Sequence, residues 1–139
     1  MKRYYIAYGS NLSESQMAMR CPTAKVVGTS TLKDWRLLFD GPTSIEKYEG
    51  YEVPVLIWDI QPDDERSLDR YEGYPSYYRK EMLKVEVNGR MLDAMVYIMN
   101  TNKESIPSTY YYNVLEKGYE RFGFDKSILE KALEESKEW

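Results

Sequence analysis

The sequence has no histidine, and Cys21 is its only cysteine among 139 residues. Without histidine the chain lacks a Ser-His-Asp triad and a Cys-His dyad, and a single thiol is too few for a zinc cluster. Most hydrolase mechanisms are therefore excluded. A lone cysteine also forms no internal disulfide, so we expect the protein to work in the cytoplasm.

The chain also lacks a surplus of basic residues and a long apolar segment. It carries 23 acidic and 19 basic residues, for a net charge of −4, and the basic residues are scattered, unlike those of a nucleic-acid-binding surface. Residues 1–11 contain no apolar stretch typical of a signal peptide. The length predicts a single domain over residues 1–139. We therefore expect neither nucleic acid nor a membrane as a partner, and the sequence does not indicate the oligomeric state.

Tyrosine, in contrast, is abundant, with fourteen residues. Three of them, at 110–112, precede Tyr119 in a segment with a helical pattern. Such a cluster suits a pocket wall that combines apolar rings with hydroxyl groups. More often, tyrosines in this arrangement are half-buried packing residues.

Apolar periodicity, turn residues and helix caps predict about six strands and four helices. The Asn88-Gly89 pair between two alternating segments is a strong signal for a two-residue β-hairpin. The charged residues 46–52 are interpreted as a loop. The predicted strands are 3–8, 25–33, 35–39, 53–60, 77–87 and 91–99, and the predicted helices are 14–20, 62–71, 109–122 and 125–137. This order suits an α+β fold in which a small mixed β-barrel of about six strands carries helices on its outside.

One candidate binding segment connects the first predicted strand to the first predicted helix. It consists of Tyr8, Gly9, Ser10, Asn11 and Leu12. Glycine permits close approach of the backbone, and successive N–H groups in such a loop can point together at an anion. The segment therefore suits an oxyanion or a carboxylate. An ordinary strand-to-helix turn with Ser and Asn caps has the same pattern, and spacing alone favours that interpretation.

A candidate catalytic carboxylate, Glu72, lies just beyond a predicted helix end, between tyrosines and next to Gly73. Aromatic surroundings remove water from a carboxylate and raise its pKa, as a general base near neutral pH requires. A solvated loop glutamate is the commoner explanation of such a residue. The same pattern, Tyr-Glu-Gly-Tyr, occurs around Glu49, so composition alone does not decide between the two glutamates.

Several segments, taken together in order, form a specific pattern. They are YIAYGSNL at 5–12, VLIW at 55–58, LDRYEG at 68–73 with Tyr78 and Arg79 after it, YIM at 97–99, and Pro107-Ser108 with Tyr111. This set resembles the γ-glutamylcyclotransferase-like family, which includes γ-glutamylamine cyclotransferases and plant AIG2-like proteins. The resemblance runs from residue 4 to about Gly123. It is weakest at the charged residues 46–52, where many members have a glycine-rich segment.

The resemblance implies a small β-barrel with outer helices and an enzyme that converts a γ-glutamyl amide to 5-oxoproline and a free amino acid or amine. In this reaction the substrate's own α-amine attacks its γ-carbonyl, so the nucleophile is internal and we expect no metal or organic cofactor. The protein must supply a base for the α-ammonium proton, donors for the developing oxyanion and an acid for the leaving amine.

The resemblance also implies roles for individual residues. Glu72 is the expected acid/base catalyst, and the backbone of residues 8–12 the expected glutamyl anchor or oxyanion site. Tyr78, Tyr97 and Tyr111 are expected pocket walls. Context favours Glu72 over Glu49 as well, because a helix end holds a carboxylate in place whereas a charged loop leaves it hydrated.

Two alternatives remain open. The first is a cyclotransferase specific for γ-glutamyl-amines. It depends on whether the far end of the pocket contains a cation that meets a second carboxylate, and the sequence does not decide whether Arg79 or Lys80 lies inside or outside the pocket. The second is a non-catalytic module of the same fold that binds a small metabolite. The intact Glu72 favours the enzyme.

Overall fold

The computed structural model describes residues 2–137, which form five strands, four α-helices and one short 3-10 turn at Ser10–Leu12. The strands are β1 (Arg3–Ala7), β2 (Lys25–Phe39), β3 (Thr43–Ile60), β4 (Tyr78–Val87) and β5 (Arg90–Met99). The helices are α1 (Glu14–Arg20), α2 (Pro62–Glu72), α3 (Thr109–Phe122) and α4 (Lys126–Ser136). The α+β class is therefore as predicted from the sequence.

All five strands belong to one mixed sheet in the order β2-β3-β1-β5-β4. β1 pairs parallel with β5, and the other neighbours are antiparallel. The edge strands β2 and β4 approach each other where a Cβ on Gly28 would lie 2.8 Å from Val87 Cγ1. No ladder of hydrogen bonds joins these edges within residues 2–137, so the predicted barrel closure is wrong.

The predicted count of six strands is also wrong, because residues 25–33 and 35–39 are one strand. Asp34 between them adopts φ 64° and lies opposite a bulge of β3, residues 48–51, rather than in a turn. β3 begins at Thr43, ten residues before the predicted start, and it contains the charged residues 46–52 that were interpreted as a loop. This arm of the β2-β3 hairpin is largely exposed, so it lacks the apolar alternation by which a half-buried strand is predicted.

The elements with strong local signals have the predicted form. Asn88 and Gly89 both have positive φ, 52° and 79°, as a two-residue hairpin turn requires. Pro62 begins α2, and its last residue Glu72 is followed by Gly73 in the left-handed conformation, φ 66°. That C-cap stops the helix at the candidate carboxylate.

The core lies along the middle strands. β1, the second half of β3 and β5 contribute most of one contiguous cluster of buried apolar side chains, joined by Leu115 and Tyr119 of α3 and Leu129 of α4. Because β1 is the third of the five strands, its end at Ala7 delivers residues 8–12 to the middle of the sheet. Among residues 2–137, none of the helices has both the length and the apolar composition of a membrane span.

Candidate active site

A cavity of about 270 Å³ opens where the chain leaves β1. Half of its fourteen lining residues are tyrosines. The lining consists of Tyr5, Ile6, Tyr8, Gly9, Ser10, Asn11, Pro42, Thr43, Tyr71, Glu72, Tyr77, Tyr78, Tyr97 and Tyr111. The cavity thus brings together β1, the ends of β3, α2, β4 and β5, and the first turn of α3.

Glu72 is the acidic residue of this lining. The carboxylate is partly buried, and within residues 2–137 no side chain or backbone group donates a hydrogen bond to it. Burial among the tyrosines raises the pKa of Glu72 from 4.5 to about 7. A carboxylate with such a pKa exchanges protons readily near neutral pH.

Arg20, at the end of α1, carries a positive charge that acts on Glu72. Its Nη1 and Nη2 groups donate to Asn11 Oδ1 at 2.6 Å and to Gln16 Oε1 at 2.8 Å. Its guanidinium carbon lies 3.6 Å from the centroid of the Tyr71 ring. The positive charge lowers the pKa of Glu72, but less than burial raises it.

Gly9 gives the candidate loop its close approach to β3. A Cβ on Gly9 would collide with the hydroxyl of Thr43. Its φ of −124° is open to other residues, so space, not a left-handed backbone, requires glycine here. The backbone N–H groups of residues 9–11 donate to no acceptor within residues 2–137, and they are available to an anionic ligand.

Asn11 holds this loop in place. Its Nδ2 donates to the Tyr5 hydroxyl at 2.9 Å, and its backbone carbonyl accepts from Trp58 Nε1 at 3.2 Å. Together with the bond from Arg20, these contacts connect the loop to β1, β3 and α1. The side chain of Asn11 therefore orders the wall of the cavity.

Six of the seven tyrosines that line the cavity, all but Tyr77, have their hydroxyl groups hydrogen-bonded to other protein groups within residues 2–137. Tyr8 donates to the Tyr97 carbonyl at 2.6 Å, and Tyr78 donates to the Thr43 carbonyl at 2.7 Å. Tyr97 itself donates to Asp69 Oδ1 at 2.6 Å. The Tyr111 hydroxyl accepts from the Thr43 backbone N–H at 3.2 Å and forms a 2.8 Å hydrogen bond with the Thr43 hydroxyl.

Burial keeps these phenols neutral. It raises the pKa of Tyr5, Tyr8, Tyr78 and Tyr97 well above the ordinary value, and that of Tyr111 to about 12. Among the cavity's acidic groups, Glu72 is therefore the one that titrates near neutral pH.

The structure brings together all but one of the predicted site residues. Leu12 is the exception: it is 1% exposed, lies in the core and packs beneath Gly118 of α3. Glu49 is exposed within the bulge of β3 and lies outside the cavity lining. Tyr74 also lies outside the lining and instead has its ring 6.5 Å from that of Tyr97.

The two cations considered from the sequence lie outside the cavity lining. Arg79 donates to the Met99 carbonyl at 2.9 Å and pairs with Glu81. Lys80 lies between Glu65 and Asp69, at 2.6 and 2.8 Å. Within residues 2–137, no group of three or more acidic or thiol side chains is arranged to hold a metal ion.

Sequence reasoning missed several residues at the site. Arg20 and Thr43 reach it from positions that no local pattern connects to residues 8–12. Tyr71 is 45% exposed and lies at the rim of the cavity, where its hydroxyl forms a 3.0 Å hydrogen bond with Ser10. Tyr5 and Tyr77 also line the cavity.

Comparison with known proteins agrees with this fold. Gamma-glutamylcyclotransferase of Homo sapiens is 28% identical over 141 aligned residues, which cover 91% of this chain and 75% of that protein. The protein of the same name from Bos taurus is 31% identical with the same coverage. A solved structure of a gamma-glutamyl cyclotransferase superposes with a TM-score of 0.84 at 25% identity, covering 95% of this chain and 86% of that one.

The part of the chain that matches a known family includes all the residues that line the cavity. The family described as "Gamma-glutamyl cyclotransferase, AIG2-like" matches residues 5–114, a range that contains every residue lining the cavity. Since the match extends over well more than half of the chain, the chain belongs to the gamma-glutamyl cyclotransferase, AIG2-like family.

Proposed function

We propose that the protein is a γ-glutamylcyclotransferase, which converts a γ-glutamyl amide to 5-oxoproline and releases the amine. One observation carries this proposal: the Glu72 carboxylate lies in a tyrosine-lined cavity, without a hydrogen-bond donor from residues 2–137, and has a pKa raised to about 7. A group of that kind suits an acid/base catalyst.

The proposed reaction uses Glu72 twice. The ionised carboxylate first takes a proton from the substrate's α-ammonium. The freed amine forms a bond to the γ-carbonyl carbon, and the carbonyl oxygen becomes an oxyanion. When this intermediate collapses, the bond from that carbon to the amide nitrogen breaks, and protonated Glu72 gives its proton to the leaving amine. The carboxylate then takes the second proton from the ring nitrogen, which becomes the lactam N–H of 5-oxoproline, and passes it to the amine, which leaves as an ammonium ion. Glu72 is then ionised again, so no external nucleophile, oxidant or metal enters the balance.

The surroundings of Glu72 support such a cyclisation. A cavity of about 270 Å³ is small beside sites for drug-sized ligands, typically about 300–1,000 Å³, and it suits a single glutamyl group. Enclosure favours the folded substrate in which amine and carbonyl already touch. The unpaired N–H groups of residues 9–11 are suited to the glutamyl carboxylate or to the oxyanion.

Two glutamine substitutions test the proposal. Glu72→Gln keeps the size and polarity of the side chain but removes the charge that accepts the proton, so we expect kcat to fall roughly 10²- to 10⁴-fold. Glu49→Gln changes the same residue type in the same Tyr-Glu-Gly-Tyr context, but at the exposed bulge, and we expect it to stay within about 3-fold of the parent. Formation of 5-oxoproline from a panel of γ-glutamyl amino acids and γ-glutamyl-amines is the readout.

Substrate binding is measured separately, by calorimetry. A near-normal Glu72→Gln variant, or a folded but inactive Glu49→Gln variant, would show that the catalytic assignment is wrong. If the parent binds γ-glutamyl compounds and releases no 5-oxoproline from any of them, the protein is a binding module.

A cytoplasmic location is proposed as well, and the single, buried and unpaired thiol of Cys21 supports it.

A further inference from the structure

A second hollow adjoins the catalytic cavity on the side of α1 and α3. Its volume is about 360 Å³, and Ser10, Tyr71 and Tyr111 belong to the walls of both. The remaining wall consists of Gln16, Met19, Arg20, Tyr110 and Val114. The catalytic cavity (the inner cavity) and this outer hollow are therefore neighbours, separated by shared residues of which Ser10 and Tyr71 are joined by a 3.0 Å hydrogen bond.

Arg20 is the charged residue of this hollow, and it has no carboxylate within 4.0 Å among residues 2–137. Arg3, in contrast, pairs with Glu65, and Arg36 pairs with three glutamates. Arg20 is instead held by two neutral oxygens, on Asn11 and Gln16, and by the face of Tyr71. A guanidinium has five N–H donors, so donors remain after these two contacts.

We propose that the outer hollow is the subsite for the leaving group and that Arg20 binds the α-carboxylate of the amino acid released. This inference rests on the proposed function. With the glutamyl group in the inner cavity beside Glu72, the substituent on the amide nitrogen enters the hollow when the half-exposed Tyr71 side chain releases Ser10. There a partly buried, already oriented guanidinium meets the carboxylate, an anion whose geometry matches its planar fork of donors.

The rest of the hollow predicts little selection among side chains. Met19 and Tyr110 are 86% and 74% exposed, so this wall is apolar but open to solvent. An amino acid side chain there contacts a loose surface and is not enclosed. The subsite therefore selects substrates by the charge of the leaving group, and it favours γ-glutamyl amino acids over neutral γ-glutamyl-amines.

Arg20 also orders Asn11 and lowers the pKa of Glu72, so a drop in activity alone would not identify its role. The test therefore compares two substrates of equal shape, γ-glutamyl-L-alanine and γ-glutamyl-L-alaninamide, which carry a carboxylate and a neutral amide at the same position. Effects on the loop and on Glu72 act on both substrates, and they cancel in the ratio of the two kcat/KM values.

We expect the parent to prefer the carboxylate substrate by roughly 10- to 100-fold, the range for hydrogen bonds to charged groups. Arg20→Gln is expected to reduce this preference to within about 3-fold. Arg20→Lys keeps the charge and loses the planar fork, so it should retain part of the preference. The matched control is Arg70→Gln, at an exposed arginine that hydrogen-bonds Ser67 outside both hollows, and its ratio should equal that of the parent.

Every other result contradicts either the subsite or the proposed function. A parent that forms 5-oxoproline from both substrates at similar kcat/KM contradicts the subsite, and this measurement needs no variant to fold. A preference that survives in Arg20→Gln shows that Arg20 only positions its neighbours. In both cases the proposed cyclotransferase activity stands. If the parent releases 5-oxoproline from neither substrate nor from the wider panel, the proposed function fails, and the subsite fails with it.

Discussion

Glu72→Gln is expected to stabilise the protein above neutral pH, although it removes the proposed catalyst. The Glu72 carboxyl has a pKa of about 7 in the folded chain, against an ordinary value of 4.5. Burial causes the difference, because it disfavours the charged form. The folded protein therefore bears an electrostatic cost whenever Glu72 is ionised, and a neutral glutamine does not have that cost.

The sign and size follow from linkage between protonation and folding. Between pH 4.5 and about 7, the folded state binds more protons at this site than the unfolded state, so stability falls as the pH rises through this window. Below the window both states are protonated, and Glu72 has no effect. Above it the full cost applies, which is about 3 kcal/mol at 1.36 kcal/mol per pH unit.

Urea denaturation at pH 4 and pH 8.5 provides the measurement. The quantity of interest is the free energy of unfolding of Glu72→Gln minus that of the parent, at each pH. We expect this difference to become more positive by up to about 3 kcal/mol from pH 4 to pH 8.5, or roughly 10 °C in Tm at about 3 °C for each kcal/mol. Any loss of packing from the glutamine is common to both pH values and cancels.

Glu49→Gln is the control, since Glu49 is exposed and surface substitutions usually change stability by less than about 0.5 kcal/mol. If Glu72→Gln and the parent lose stability in parallel between the two pH values, then Glu72 ionises like a hydrated carboxylate. That result would remove the electrostatic basis for its role as a base, whatever the activity of the variant.

Two further predictions concern activity. The kcat/KM of the parent should decline below a pH of about 7, where Glu72 takes up a proton. Arg20→Gln should move this decline to higher pH, because the arginine charge favours the ionised form of Glu72. A decline only at or below about pH 4.3 would contradict a buried base. Gly9→Ala should lower kcat/KM roughly 10²-fold, because the new methyl group collides with the Thr43 hydroxyl. Adding Thr43→Ala should restore part of the lost kcat/KM. A fully active Gly9→Ala variant would show that this contact does not position the loop.

The parts of the fold that were predicted correctly have causes within a few residues. Pro62 and Gly73 mark the ends of α2, and the Asn88-Gly89 turn fixes the β4-β5 hairpin. Proline and glycine restrict or extend the backbone angles directly, so their effect does not depend on the rest of the molecule. Sequence alone was sufficient for these elements.

The errors have causes that are distant in sequence. β2 continues through Asp34 because residues 43–52 of β3 pair with β2. One example is the 3.1 Å hydrogen bond from the Gly50 backbone N–H to Asp34 Oδ1. Barrel closure depends on how far β2 and β4 twist towards each other. Neither the pairing nor the twist leaves a periodic signal in the segment concerned.

The same distinction applies to the site. Glu72 was found because a helix end, tyrosines and a glycine adjoin it in sequence. Arg20 and Thr43 were missed because their roles come from contacts with Tyr71 and Gly9, residues from distant parts of the chain. A single sequence carries no sign of these pairs, since each partner alone looks like an ordinary helix end or turn.

The two Tyr-Glu-Gly-Tyr segments show how far local sequence determines chemistry. In both, glycine takes the left-handed backbone, with φ of 88° at Gly50 and 66° at Gly73. At Gly50 this conformation forms a bulge on an exposed hairpin arm, and Glu49 remains in water. At Gly73 it caps a helix whose end faces β1 and the loop after it, so Glu72 is surrounded by tyrosines from other elements. The four residues fix the turn of the backbone, and the packing around the second turn raises the pKa of Glu72 towards neutrality.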